Sequence, residues 1–223
     1  MSSATSTPCW VSYADIVLLG GGKPVFVPCA IDKGYKLQPD ALDKAITPKT
    51  RFLYGETIPN PRGNVLDIEA VARIATAANM PLVIDNTFAS PYLCRPLDHG
   101  AHIVVQSLTK FLGGHGTSIG GMIVDGGKFD YGKSAHTLLN KPSPAYHGLV
   151  FSELPSPLNA IAFILRARVE GLRDLGPCIS PFNAFQIIQG VETLGMRMDR
   201  HVAHAQQVAA FLEGHKLVKW VRY

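Results

Sequence analysis

Short apolar runs and helix-period segments take turns along this chain, and that alternation restricts its fold more than any other feature. Lys23-Pro24-Val25-Phe26-Val27 reads as a strand, and Gln38 to Ile46 as a helix with Leu37, Leu42 and Ala45 at roughly helical spacing. Arg51-Phe52-Leu53-Tyr54 is a strand. Asp67 to Asn79 reads as a helix capped by Asp67, with Ile68, Val71, Ala72 and Ala75 on one apolar face. Pro81 to Ile84, His102 to Gln106 and Ile119 to Asp125 read as further strands. The pattern predicts an α/β fold with a mostly parallel central sheet flanked by helices. In such sheets chemistry sits at the carboxyl ends of the strands, where Asp85 and the Ser107-Leu108-Thr109-Lys110 stretch both fall.

The remainder is read more coarsely. Residues 126–157 are rich in Gly, Pro, Ser and His and are expected to form a long irregular connection. Helices are predicted over Leu158 to Leu172, Pro181 to Leu194 and Asp199 to Glu213, and Val218-Lys219-Trp220-Val221 reads as the start of a strand. With 223 residues and 47% hydrophobic composition the chain can bury a sizeable core. The net charge of +4 (21 − 17) is mild and no basic run of five occurs, so nucleic acid is not implied. Residues 1–7 are small and polar with no signal core behind them, and no apolar stretch approaches a membrane span. Cys9, Cys29, Cys94 and Cys178 form no CxxC pair and suit free thiols in a reducing cytoplasm.

Lys110 follows an apolar run, Ile103-Val104-Val105, and precedes Gly113-Gly114-His115-Gly116. A lysine at the mouth of a buried strand suits a Schiff-base role: a partly desolvated amine becomes nucleophilic and condenses with an aldehyde. Asp85, at the end of Pro81-Leu82-Val83-Ile84, is the matching carboxylate. Pyridoxal phosphate (PLP) sites need that pair, the lysine to hold the aldehyde and the carboxylate to keep the pyridine nitrogen protonated. Ser107 and Thr109, alternate residues on an expected extended segment, would point the same way as hydroxyl donors. Gly20-Gly21-Gly22 lacks the G-x-G-x-x-G pattern and reads as a flexible turn. His201 and His204 have no third ligand nearby in sequence, so no metal is expected.

Longer phrases carry a family resemblance. Gly55-Glu56-Thr57-Ile58-Pro59-Asn60-Pro61, Val83-Ile84-Asp85-Asn86-Thr87-Phe88-Ala89-Ser90-Pro91, the Ser107 to Gly116 run, Arg168 to Pro177, and Glu192-Thr193-Leu194 with Arg197, Met198, Arg200 and His201 occur in order. From about Ala45 to Tyr223 the chain resembles the O-acetylhomoserine sulfhydrylase group of the Cys/Met-metabolism PLP-dependent enzymes. Residues 1–45, through Trp10-Val11-Ser12-Tyr13 and Val17 to Val25, resemble a bacterial aspartate aminotransferase segment, also of fold type I. The change falls near Ala45 to Arg51, and suggests a hybrid of two related folds.

The resemblance implies a fold-type I PLP-dependent transferase large domain, incomplete at both ends. Residues 1–175 would be a partial PLP-binding large domain and 176–223 the truncated beginning of a C-terminal small domain. Lys110 would carry PLP and shuttle protons, Asp85 would pair with the pyridinium nitrogen, and Ser107 and Thr109 would donate to the phosphate. Thr87 would either touch the ring or simply end its strand. Asn60 would lie near the cofactor's 3-oxygen or the substrate carboxylate, although an Asn between two prolines also makes a rigid turn. Trp10 would stack on the cofactor ring or else pack loosely near the chain start. The helix N-terminus that cradles the phosphate and the arginine that grips the substrate carboxylate are not recognised, so weakened binding is expected. The implied reaction is γ-replacement of acetate in O-acetylhomoserine by sulfide, giving homocysteine for methionine biosynthesis in the cytoplasm. A dimer or tetramer is implied. Transamination, β/γ-elimination and a non-catalytic remnant of the fold are the alternatives.

Overall fold

The computed structural model describes residues 2–7, 9, 11–59 and 63–223. Its centre is a six-stranded sheet of β1 (Ser2–Thr7), β2 (Lys23–Pro28), β3 (Thr50–Glu56), β4 (Leu82–Asp85), β5 (Ile103–Ser107) and β6 (Gly121–Asp125), in the order β2-β1-β3-β4-β5-β6. The first five strands are parallel and β6 runs antiparallel to β5. The connections carry helices α1 (Ser12–Leu19), α2 (Pro39–Ala45) and α3 (Ile68–Ala77). Two longer helices, α4 (Pro181–Glu192) and α5 (Leu194–Glu213), follow near the C-terminus. The expected α/β architecture with a mostly parallel sheet is therefore present.

Side-chain period explains which face is buried. Leu82 and Ile84 of β4 and Leu53 of β3 point to one side of the sheet, where they pack with Ala4, Val27, Leu42 of α2, and Ile68, Val71, Ala72 and Ala75 of α3. The apolar stripe of α3 is the one its sequence spacing predicts, and the Asp67 side chain accepts the N–H of Ala70 at 2.9 Å. Such a cap stabilises a helix by roughly 1 kcal/mol. The opposite residues, Tyr54 and Glu56 of β3 and Asp85 of β4, are left to the other face, and Glu56 and Asp85 stand side by side in register.

Several expectations are revised. Residues 2–7, read only as small and polar, form a strand inside the sheet, with Ser3, Ala4 and Thr5 buried. Parallel pairing to β2 and β3 satisfies the backbone, so small side chains suffice there. The helix expected over Leu158 to Leu172 is divided into a 3-10 turn (Leu158–Ile161), an α segment (Ala162–Arg166) and a π segment (Ala167–Leu172). Residues 218–221 form no strand: β2 and β6 close the sheet edges, and no partner lies beside that segment among the described residues. The stretch 126–157 is irregular as expected, and it also holds a satellite core, with Phe129, Tyr131, Leu139 and Phe151 packed against Ala162.

Candidate active site

Parallel pairing of β3, β4 and β5 brings three strand ends together. Glu56 neighbours Asp85, and Asp85 neighbours Val105, two residues before Ser107. Just beyond these ends opens a cavity of about 650 Å³, lined among others by Asp85, Thr87, Ser107, Thr109, Lys110 and Tyr13. That volume lies within the roughly 300–1,000 Å³ common for small-molecule sites. Five residues singled out from sequence thus meet around one space. Trp10 and Asn60 lie outside the described residues.

Asp85 is half-buried and firmly held. Its Oδ1 accepts the N–H of Thr87 at 2.9 Å, and its Oδ2 accepts the Tyr13 hydroxyl at 2.8 Å and the Tyr54 hydroxyl at 3.4 Å. Thr87 stitches two strand ends together, its Oγ1 accepting the N–H of Ser107 at 2.8 Å. The next residue, Asn86, is fully buried. It accepts the Thr57 hydroxyl at 2.7 Å and donates to the Cys94 carbonyl at 2.8 Å. Tyr13, Tyr54 and Asn86 were not assigned roles from sequence. Strand period would have placed Tyr54 on the face of Asp85, whereas nothing local tied Tyr13 to a residue 72 positions away.

The lysine segment differs from its expectation in two respects. Ser107 ends β5, but Leu108–Leu112 forms a π turn, so Ser107 and Thr109 are not alternate residues of one extended strand. The Thr109 hydroxyl is engaged by Gly120, accepting its N–H at 3.1 Å and lying 3.3 Å from its carbonyl oxygen. Lys110 interrupts the turn with φ −88° and ψ −127°, and its side chain is exposed rather than desolvated. Among the described residues no carboxylate stands within ion-pair distance of it.

Behind Lys110 the turn is clamped by the last helices. Arg197 of α5 donates to the carbonyls of Phe111 at 2.7 Å, Leu112 at 3.3 Å and Gly190 at 2.6 Å, and to the Thr193 hydroxyl at 3.1 Å. A guanidinium so engaged is a brace for the turn and not a free anion receptor. Leu112 packs with Leu194 and Met198 of α5 beneath it.

The donor set suits PLP: a primary amine, a fixed carboxylate and a Ser107 hydroxyl without an intramolecular hydrogen bond among the described residues line one cavity.

Comparison with known proteins agrees. A family profile described as Cys/Met metabolism PLP-dependent enzyme matches residues 30–223, beginning inside the aminotransferase-like segment. The O-acetyl-L-homoserine sulfhydrylase of Leptospira meyeri is 56% identical over 190 residues, covering 83% of this chain and 43% of that protein. The homocysteine synthase of Schizosaccharomyces pombe is 47% identical over 188 residues, with the same coverage of 83% and 43%. A crystal structure of a putative O-acetylhomoserine (thiol)-lyase from Campylobacter jejuni, containing pyridoxyl-lysine monophosphate, superposes with a TM-score of 0.88 at 31% identity. That match covers 100% of this chain and 53% of the other, so residues 1–45 fall within the shared fold. The chain spans about two fifths of the length of these curated relatives, 43% in each case. By the extent of the profile match and the position of its lysine and aspartate around one cavity, this chain belongs to the Cys/Met metabolism PLP-dependent enzymes.

Proposed function

We propose that this chain is the PLP-binding part of a transferase that replaces the acetate of O-acetylhomoserine by sulfide. The observation that carries the reading is the convergence of Lys110 and Asp85 on one cavity at the ends of β4 and β5. The 56% identity to a sulfhydrylase supports the choice of substrate class. Residues 1–175 would form the cofactor-binding domain, and 176–223 would begin a smaller C-terminal one.

Bound PLP supplies an electron sink for negative charge developing on the substrate's carbons. Lys110 Nζ would hold the cofactor through its aldehyde carbon. The same amine would remove the substrate's α-proton and then a β-proton. Asp85 would pair with the ring nitrogen. Ser107 would donate to the phosphate; Thr109 would do so only by exchanging its bond to Gly120. Thr87 orients the Ser107 backbone. The γ-carbon–oxygen bond would break with its electron pair leaving on acetate, hydrosulfide would form the new carbon–sulfur bond, and protons would return to the β- and α-carbons, giving homocysteine. A cytoplasmic setting fits these substrates, and no described helix is long and apolar enough to cross a membrane. A homo-oligomer is part of the same reading.

Titration with PLP provides the test. A saturable visible absorbance, lost in Lys110→Ala, together with homocysteine formed from O-acetylhomoserine and sulfide, is the expected result. Colourless protein at saturating PLP would favour a non-catalytic remnant, and 2-oxo acid without homocysteine would favour the aminotransferase alternative.

A further inference from the structure

Asp85 is met by two phenols from different parts of the chain. Tyr13, in the first turn of α1, donates to its Oδ2 at 2.8 Å, and Tyr54 of β3 reaches the same oxygen at 3.4 Å. The two rings lie 4.4 Å apart at an interplanar angle of 56°. Tyr13 lies outside the residues matched by the family profile. It is also the α1 residue that reaches the cavity.

We infer that Tyr13 and Tyr54 are a positioning pair that fixes the orientation of the Asp85 carboxylate for a pyridinium ring. The inference rests on the PLP reading above. Three observations support it. Burial, reinforced by Tyr54, Asp85 and Glu56, raises the Tyr13 phenol far above its ordinary range. Burial first and then the Asp85 charge raise Tyr54 as well. Both phenols therefore keep their protons and act as donors throughout the working pH range. Hydrogen bonds to a carboxylate are of the stronger, more directional kind, so two phenols on one oxygen fix its orientation. An ionised carboxylate offers about four acceptor positions. The two phenols occupy Oδ2 and the Thr87 N–H takes one position on Oδ1, which leaves one on Oδ1 for a cofactor N–H.

The test is a PLP titration of the full chain and of Tyr13→Phe, Tyr54→Phe and the double variant, read by absorbance. Phenylalanine keeps the ring and its packing and removes only the hydroxyl, and thermal unfolding checks that each variant is folded. Tyr13→Phe should weaken PLP binding about tenfold, ~1.4 kcal/mol. It should also displace the absorbance maximum of the bound cofactor, which responds to protonation of the ring nitrogen and is insensitive to a purely structural role. Tyr54→Phe, with the longer bond, should act in the same direction but less. The double variant should lose less than the product of the two single effects, because both hydroxyls share one oxygen. If Tyr13→Phe does not fold, Tyr54→Phe carries the test alone. Unchanged affinity and spectrum in the folded variants would overturn the inference. So would tighter binding by Tyr13→Phe, because the phenol would then be competing for the ring's place. Failure of the parent chain to bind PLP is a different result, removing the functional reading and this inference together.

Discussion

Asn86 sets the course of the chain directly after Asp85. Its side chain bridges Thr57 and Cys94, its N–H donates to the Val105 carbonyl at 3.0 Å, and its own carbonyl accepts from Ser90 at 2.9 Å. Ser90 in turn is fully buried in a left-handed conformation at φ 59°, a conformation that non-glycine residues adopt only when the surroundings impose it. Asn86→Ala removes both side-chain bonds, strands the Thr57 hydroxyl and Cys94 carbonyl, and leaves a void. The expected loss is ~2–4 kcal/mol of stability, measured by denaturant unfolding. A loss below about 0.5 kcal/mol would mean that the turn is held by its backbone alone. Asp85 and Lys110 were legible because each lies at or just beyond the end of an apolar run, where a charge needs a reason. Asn86 was not, since an asparagine after a strand reads equally well as an ordinary turn residue.

Among elements, the dependence of the lysine turn on α4 and α5 is the main structural coupling. A Cβ on Gly190 of α4 would collide with the carbonyl group of Gly113, coming within 2.7 Å of its carbon. Gly190→Ala should therefore push α4 off the turn, cost roughly 1–3 kcal/mol and weaken PLP binding. Gly171→Ala, in the helical stretch Ala167–Leu172 where an added Cβ meets nothing within 4 Å, should leave PLP binding unchanged and lower stability not at all, if anything raising it by up to ~1 kcal/mol. Circular dichroism melts and PLP titration of the two variants decide the point; equal behaviour of the pair would remove α4 as a brace. The elements themselves were read well wherever apolar residues recur at one period, as in β2 to β5 and α3. They were read poorly where pairing supplies the stability: β1 has hardly any apolar side chains, and its place between β2 and β3 follows from ladder bonds that no local window contains. The antiparallel direction of β6 is likewise a tertiary choice.

At the scale of the whole molecule, apolar surface is left over. The described residues pack into three separate clusters, the largest between the sheet, α2 and α3. α4 buries Ile187 and Gly190 on one side, yet its Phe182, Phe185 and Ile188 are 67%, 56% and 60% exposed on another. On α5, Val208 and Phe211 are 55% and 67% exposed. Contiguous apolar patches on a helix that is already packed on its opposite side are uncommon in monomers and mark contact surfaces. The chain is therefore expected to self-associate through α4, with sedimentation velocity showing a mass that rises with concentration in the micromolar range. Replacing Phe182 and Ile188 together by glutamate should shift the distribution toward a single chain. The same replacement should change the thermal midpoint little, because neither side chain contributes to a core. A chain that sediments as a monomer at all concentrations, or a double variant that associates as the parent does, would place the contact surface elsewhere. The bracing of Lys110 gives this prediction its functional weight: α4 touches Gly113 on one side and would meet a neighbour on the other, so association would steady the turn that carries the amine.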